Sequence, residues 1–200
     1  MTELLHSGAK FNDARTHRQR LWRVWDSALP VLIVIGMNPS KADETENDPT
    51  VERCERRARL RGYGGLLMLN MQDVIETDSR KLDQMPAEKR CTSSNTVELI
   101  GALDQAKNGA ADVLCAWGKP GQKYGPVAWF STQAARRSVT LFCLKRNKDG
   151  SPVHPLYQPY DRDFEWFAGV DAKDAATPLT TGSAMAYRCE TTPDLFGETA

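Results

Sequence analysis

The sequence predicts an α/β protein, a three-layer αβα sandwich with a central four-stranded parallel sheet. The first observation behind this prediction is a set of short apolar runs whose length and β-branched composition are typical of strands buried on both faces. The second is that polar segments with helical features separate the runs. Strands that alternate with helices are joined by right-handed crossovers, which makes the strands parallel and covers the sheet on both sides.

Four apolar runs define the predicted strands, at residues 31–36, 65–70, 111–117 and 139–145. The clearest is Val-Leu-Ile-Val-Ile-Gly at 31–36, a continuous apolar run that ends at a glycine. Such a run has no polar face, so it fits the inside of a parallel sheet better than a half-exposed strand.

Three helices are predicted between these strands. The tripeptide Asp-Pro-Thr at 48–50 supplies an N-cap and a proline at the first helical position, so a helix runs from there to about Arg61. A second helix is predicted to begin at about Asn95, with Glu98 at capping-box spacing. Residues 126–137 form the third.

The domain boundaries follow from where the periodic patterns stop. We expect a single α/β domain over residues 1–169 and a mostly disordered tail over residues 170–200, where Ala, Thr, Asp and Gly predominate. Residues 21–26 are ambiguous between a short helix and an edge strand.

Composition limits the class of protein. No run of about 18 apolar residues is present, and the polar start lacks the apolar stretch of a signal peptide, so we expect no membrane segment. An odd set of cysteines without a C-x-x-C pair argues against a disulfide framework and a structural zinc or iron–sulfur site; the five are Cys54, Cys91, Cys115, Cys143 and Cys189. The expected protein is cytoplasmic, with no metal and no cofactor.

Charge does not identify the partner by itself. The formal net charge is zero, which argues against a strongly basic nucleic-acid coat but leaves room for a local groove. Two basic clusters are either solvated faces or parts of such a groove: Arg15, Arg18, Arg20 and Arg23, and Arg53, Arg56, Arg57, Arg59 and Arg61.

Candidate functional residues follow the predicted strands. In an open parallel sheet, ligands bind beyond the carboxyl ends of the strands, where a planar substrate meets side chains from several loops. The loop after the first strand also leads to Asp48 and Thr50. The candidates are Gly36, Met37, Asn38, Pro39, Ser40, Asp48, Thr50, Asn70, Trp117, Gly118, His154, Pro155, Leu156 and Tyr157.

Each candidate has a purely structural alternative. Residues 36–40 also fit a simple turn, since Asn, Pro, Ser and Gly are turn formers. Asn70 also fits a strand cap, Trp117 an ordinary core aromatic, and His154 a structural histidine. Asp48 and Thr50 either shape the loop or bind a substrate or ion. The functional interpretation gains weight from the position of all these segments after predicted strands.

The residues of these segments and their order along the chain resemble the motifs of the uracil-DNA glycosylase superfamily. The resemblance is carried by Gly-Met-Asn-Pro-Ser at 36–40, the Leu-rich strand ending in Asn70, the strand ending Trp-Gly-Lys at 117–119, and His154-Pro155. It implies a glycosylase-like αβα fold. Over roughly residues 20–160 the chain also resembles, more closely, the bacterial and phage family called domain of unknown function 1643, through strings such as Asp-Pro-Thr at 48–50.

The glycosylase resemblance implies a role for each matching residue. Asn38 and His154 would be catalytic: Asn38 would position a water against the sugar carbon or contact the sugar, and His154 would stabilise negative charge on the departing base. Asn70 would read a base edge, and backbone near Met37 and Ser40 would shape the pocket floor. Leu156 or Tyr157 would wedge or stack.

Departures from the glycosylase pattern widen the range of substrates and reactions that the sequence allows. Ser40 is smaller than the bulky residue of the most uracil-specific enzymes, which leaves room for a 5-modified pyrimidine. The expected function is N-glycosidic hydrolysis or modification of a pyrimidine base in nucleic acid or a nucleotide. The alternatives are a non-catalytic nucleic-acid or nucleotide-binding module and a small-molecule enzyme. DNA or a nucleotide is the expected partner.

Overall fold

A mixed β-sheet forms the centre of the protein. The computed structural model describes residues 3–124, 126–170 and 178. Within them the sheet has seven strands: β1 His6–Phe11, β2 Arg18–Val24, β3 Val31–Gly36, β4 Gly65–Asn70, β5 Ala111–Cys115, β6 Thr140–Cys143 and β7 Glu165–Gly169. The helices are α1 Pro49–Leu60, α2 Ser79–Leu82, α3 Ala87–Arg90, α4 Ser93–Lys107, α5 Gly118–Tyr124 and α6 Val127–Arg136, with a 3₁₀ turn at Pro155–Tyr157.

The strand order is β1-β2-β4-β3-β5-β6-β7. The four predicted strands are present as β4, β3, β5 and β6, which are adjacent and mutually parallel. The α/β class is therefore confirmed. The prediction of a four-stranded sheet was wrong, because β1, β2 and β7 extend the sheet by antiparallel pairing.

The added strands escaped prediction because charged residues interrupt their apolar patterns. β2 reads Arg-Gln-Arg-Leu-Trp-Arg-Val, and it lies between β1 and β4. The ambiguous residues 21–26 are thus the end of an inner strand and the residues after it, neither a helix nor an edge strand. The predicted tail, 170–200, lies outside the described residues except for Val170 and Pro178.

Helices cover both faces of the sheet, and each face has its own core. Side chains alternate along a strand, so Ile33 and Ile35 of β3 face one side while Leu32 and Val34 face the other. The first side packs against α4 and α6, and the second against α1. None of the helices in the described part of the chain combines the length and hydrophobicity needed to cross a bilayer.

Helix starts illustrate what capping patterns can predict. The side chain of Asp48 accepts hydrogen bonds from the N–H groups of Thr50 and Val51, so the predicted N-cap of α1 is confirmed. The helix predicted from about Asn95 begins earlier, because Thr92 is its N-cap and accepts from the Asn95 N–H. Glu98 instead pairs with Lys10 of β1 at 3.0 Å.

The arginines of α1 hold the segment that follows the 3₁₀ turn. Arg57 is fully buried, and its guanidinium donates to the carbonyl oxygens of Gln158 at 3.0 Å, Pro159 at 2.8 Å and Tyr160 at 3.0 Å. Arg53 donates to the same Gln158 carbonyl at 2.8 Å. Arg57 is therefore shielded from solvent, and Arg53, which is half-buried, is engaged by the same segment.

The arginines of β2 hold the loop after β3 in the same way. Arg23 is 1% exposed and donates to the Asp43 carbonyl at 2.8 Å and to Oδ1 of Asn47 at 3.0 Å. Arg18 is 2% exposed and donates to the Ala42 carbonyl at 2.8 Å. Burial lowers the pKa of Arg18 to about 10, so it still carries its charge at neutral pH.

We expect Arg57→Met to lower the free energy of unfolding by about 3 kcal/mol, because buried carbonyl groups lose a charged donor. Arg56 is the matched control, since it is exposed and lies over the Tyr160 ring at 4.8 Å. Arg56→Met should cost less than about 1 kcal/mol. Urea unfolding of both variants measures the difference. Equal losses of unfolding free energy would contradict the structural role assigned to the hydrogen bonds of Arg57.

Candidate functional site

The carboxyl ends of the parallel strands bring the predicted segments to one edge of the sheet. Gly36 at the end of β3 and Asn70 at the end of β4 are register partners. The Met71 N–H donates to the Gly36 carbonyl at 3.0 Å, and the Ala116 N–H, just after β5, donates to the Ile35 carbonyl at 2.9 Å. The loop after β3 therefore lies between the ends of β4 and β5.

Asn70 presents a buried amide at this edge. The residue is 3% exposed, and its Nδ2 has no hydrogen-bond partner within the described residues. A Cβ atom at Gly36 would lie 2.7 Å from Asn70 Oδ1, which is too close for a normal contact. A larger residue at position 36 would therefore displace the Asn70 amide. A buried amide without a partner costs about 1–3 kcal/mol, which makes it a candidate ligand-binding group.

Asn38 is held in one orientation by two carbonyl groups. Its Nδ2 donates to the carbonyl oxygens of Pro39 at 3.0 Å and Glu76 at 2.6 Å. Because both contacts require the NH₂ group, the opposite side of the amide presents Oδ1, a hydrogen-bond acceptor. The side chain is half-buried, so this acceptor is anchored rather than free to rotate.

His154 lies beside Gly118, whose φ of +67° is a left-handed conformation that suits glycine. A Cβ at Gly118 would be 3.7 Å from the His154 Cβ, so the two segments are in contact. The imidazole Nδ1 accepts from the Leu156 N–H at 3.4 Å, which leaves the hydrogen of the neutral ring on Nε2.

The electrostatic environment keeps His154 neutral. Although the residue is exposed overall, desolvation by the surrounding protein lowers the pKa of the ring below 6.5, and the negative charge of Asp48 opposes this shift. At neutral pH the ring is therefore a hydrogen-bond donor without a positive charge.

The remaining residues of the loop after β3 have mainly structural contacts. The Met37 carbonyl accepts from the Gln72 N–H at 3.0 Å, and its side chain packs against the core. Pro39 is buried, while Ser40 is half-buried. Thr50 contributes its N–H to the cap of α1. Ser40 is thus the small, partly exposed side chain of this group.

Trp117 belongs to the core. It is 1% exposed, its Nε1 donates to Gln122 Oε1 at 3.0 Å, and its ring meets Phe167 edge-on at 5.4 Å between centroids. We therefore assign no ligand contact to its indole. In the 3₁₀ turn Pro155 is buried and Leu156 is half-buried, whereas Tyr157 is 85% exposed. Among the large apolar side chains of the described residues, Tyr157 is the most exposed.

A buried polar network beneath Asn70 was missed by sequence reasoning. Asn95, fully buried on α4, donates to the Asn70 carbonyl at 3.0 Å. The carboxylate of Asp73, which is also fully buried, accepts from the hydroxyl and the N–H of Thr92. The Thr-x-x-Asn pattern at 92–95 was a capping signal that would have located part of this network.

Metal and thiol chemistry are not indicated by the described residues. They contain no group of three or more His, Cys, Asp or Glu side chains placed to hold a metal ion. Burial raises the pKa of Cys54 to about 12 and that of Cys143 to about 12, and it raises the pKa of Cys91 and Cys115 as well. These thiols are protonated at neutral pH and are poor nucleophiles.

The chain belongs to the family described as "Protein of unknown function (DUF1643)", whose model matches residues 18–156. The match covers more than half of the 200 residues and includes both ends of the candidate site, from Asn38 to His154. No curated protein and no solved structure matches the chain. The family assignment carries no activity with it.

We expect NMR titration to give His154 a pKa below 6.5, and Asp48→Asn to lower that pKa further by removing the charge that favours the imidazolium. Asparagine caps helices as well as aspartate does, so α1 should persist. Glu52→Gln, in the first turn of the same helix, is the charge-matched control and should leave the pKa in place.

The same shift has a consequence for stability. Because the folded-state pKa of His154 is lowered, its contribution is complete above pH 6.5 and is lost as the pH falls through the folded-state value. His154→Gln should remove this part of the acid sensitivity of unfolding. An unchanged pH dependence in the variant would show that His154 is not the responsible group.

Proposed function

We propose that the carboxyl edge of the sheet binds a pyrimidine base and that the protein hydrolyses the N-glycosidic bond of that base in nucleic acid or a nucleotide. The observation that carries the proposal is the Asn70 amide, which is 3% exposed and whose Nδ2 has no partner within the described residues. A pyrimidine edge offers an acceptor next to a donor. A carboxamide satisfies both, and in turn gains the hydrogen bonds it lacks.

Asn38 is the group that we assign to the nucleophile. Its Oδ1 accepts a hydrogen bond from a water molecule while the carbonyls of Pro39 and Glu76 hold the NH₂ side. Amides are not general bases, so the contribution of Asn38 is to position the water near the sugar carbon. The reaction is then slower than with an aspartate at this place.

His154 is the group that we assign to the leaving base. A neutral imidazole with its hydrogen on Nε2 donates to the oxygen on which negative charge develops as the glycosidic bond breaks. One such fixed donor contributes roughly 3 kcal/mol to transition-state stabilisation. Its lowered pKa keeps the ring neutral at physiological pH, so this donation needs no prior protonation.

Ser40 and Tyr157 define the expected substrate further. Ser40 is small and half-buried, so the proposed pocket has room for a substituent at the 5-position of the pyrimidine. Tyr157 is 85% exposed in the 3₁₀ turn after His154, where an aromatic ring stacks on a base. The resemblance to uracil-DNA glycosylases at 36–40, Asn70 and His154-Pro155 and the helices on both faces of the sheet support a glycosylase-like sandwich.

A second candidate is a base-binding module without catalysis. It is favoured by residue 38 itself, because an amide cannot take a proton from water and its NH₂ group is already engaged with two carbonyls. This candidate keeps the roles of Asn70 and Tyr157 and removes the chemical step.

We expect Asn70→Leu to abolish the binding of pyrimidine nucleosides while leaving the free energy of unfolding unchanged or about 1 kcal/mol higher, since the change removes a buried amide without a partner. Asn95→Leu is the matched control, because Asn95 is fully buried and its NH₂ group, unlike that of Asn70, donates to a carbonyl, that of Asn70. That variant should be destabilised by about 1–3 kcal/mol. Calorimetric titration and urea unfolding measure the two effects; strong destabilisation by Asn70→Leu would assign Asn70 a structural role.

Turnover is tested by incubating the protein with oligonucleotides that contain uracil or 5-substituted pyrimidines, followed by mass spectrometry of the released bases. We expect release by the wild type, and a loss of about 100-fold or more in Asn38→Ala or His154→Gln with binding retained. Binding without release in the wild type would favour the non-catalytic module. Absence of both would refute the proposed function.

A further inference from the structure

The amide that we assign to the base is closed off from solvent. Asn70 is 3% exposed, and its Nδ2 is a buried atom without a partner within the described residues. A ligand cannot form a hydrogen bond with an atom that it cannot reach. A segment close to Asn70 therefore has to move before a base binds there.

Two of the loops at the carboxyl edge are held in place by buried charged donors. Arg18 and Arg23 donate to the carbonyl oxygens of the loop after β3, and Arg57 donates to those of the segment after the 3₁₀ turn. Hydrogen bonds from charged groups are the stronger kind, and breaking them leaves buried carbonyls without donors. Neither loop is the part of the edge that opens most easily.

A third segment of this edge has far fewer contacts. Residues 77–88, between β4 and α4, contain α2 and the start of α3, and we call them the strap. Among the described side chains of the strap Leu82 is buried, Asp78 and Met85 are half-buried, and the others are exposed. Leu82 lies outside both sheet cores. Segments with so little buried surface open at a low cost in free energy.

The backbone of the strap is bonded within itself. The N–H groups of Lys81 and Asp83 donate to the carbonyl oxygens of Asp78 at 3.0 Å and Arg80 at 3.3 Å. The N–H of Gln84 donates to the Lys81 carbonyl at 3.2 Å. These hydrogen bonds hold α2 together and can persist when the strap moves as a unit.

An exposed ion pair joins the strap to α5. The Asp83 carboxylate lies 2.8 Å from Lys123 Nζ, and the two side chains are 49% and 67% exposed. Ion pairs with this exposure contribute little to stability. Next to the pair, a cavity of about 480 Å³ separates Arg80 and Asp83 from Lys119 and Pro120 of α5. The strap is therefore joined to α5 without being packed tightly against it.

The strap extends between the two groups that we assign to the reaction. It begins after Glu76, whose carbonyl accepts from Asn38 Nδ2 at 2.6 Å. Its partner α5 begins at Gly118, which lies beside His154. At its other end, the Lys89 carbonyl oxygen is 3.0 Å from Nε2 of a histidine at position 17. Both ends are thus anchored, and the part between them is free to move without releasing Asn38.

We propose that the strap is a movable cover over Asn70, which opens to admit the ligand and closes over it, and that the ion pair between Asp83 and Lys123 favours the closed position. The inference rests on the proposed function for the identity of the ligand. A weak ion pair suits this task, because a cover held by buried groups would open too rarely for a ligand to enter.

The test is the rate at which iodoacetamide alkylates the thiol of the Asn70→Cys variant, measured by mass spectrometry of the peptide that contains residue 70. We expect alkylation to be at least about 10-fold slower than that of free cysteine, because the reagent enters when the strap is open. Addition of Asp83→Lys should accelerate it by about 3-fold, since repulsion replaces attraction. The exchanged pair, Asp83→Lys/Lys123→Asp, should restore the slow rate.

Glu88→Lys is the matched control, because it makes the same change of charge at an exposed position of the strap away from the ion pair with α5. It should leave the alkylation rate unchanged. Deuterium exchange of residues 77–88, measured without the change at Asn70, gives the same comparison should Asn70→Cys fail to fold.

The outcomes separate this inference from the proposed function. Alkylation as fast as that of free cysteine, or equal effects of Asp83→Lys and Glu88→Lys, overturns the inference. Association of a pyrimidine nucleoside at the same rate in the wild type and in Asp83→Lys also overturns it and leaves the proposed function in place. Acceleration by Asp83→Lys that the exchanged pair reverses, without binding of any pyrimidine nucleoside, supports the strap and refutes the proposed function.

Discussion

The site depends on buried guanidinium groups that bind loop carbonyls. Arg23 and Arg18 hold the loop after β3, and Arg57 holds the segment after the 3₁₀ turn. Loops at the end of a sheet expose many backbone carbonyls that no strand or helix satisfies. A planar guanidinium donates in several directions from one buried position, which a lysine cannot do. The two loops that carry Asn38 and His154 are therefore fixed from beneath by arginines of β2 and α1.

Most polar groups of the edge have partners in the fold, but Asn70 Nδ2 and Asn95 Oδ1 have none within the described residues. Asn38, Asn95 and Asp73 all have partners in the protein. The Nδ2 of Asn70 has none within the described residues, although Asn95 donates to the backbone carbonyl of the same residue. Both unpartnered atoms are buried, so each bears the cost of an unsatisfied polar group. Under the proposed function, the free energy that this costs at Asn70 is recovered when the base binds.

Net charge is a poor guide to the surface charge of this protein, because several arginines are buried whereas several lysines are exposed. The arginines are drawn into the fold, as Arg57 and Arg23 show, and their charge is shielded from solvent. Lys119, Lys145 and Lys148, which follow β5 and β6, are exposed instead. The formal net charge of zero therefore does not describe how charge is divided between the interior and the surface.

The sequence by itself determined the four parallel strands, the start of α1 at Asp48 and the common edge of Asn38, Asn70 and His154, because apolar runs and caps are local signals. The tertiary structure decided the rest. It added β1, β2 and β7, which the sequence pattern does not predict because charged residues interrupt their apolar runs. It also placed the Trp117 indole in the core rather than in the site. It further decided that Arg23 and Arg57 are structural and that Lys119 lies close enough to Asp149 to lower the pKa of its carboxyl group. Whether a charged side chain meets a carbonyl, a carboxylate or water depends on segments distant in the sequence, and no local pattern records those contacts.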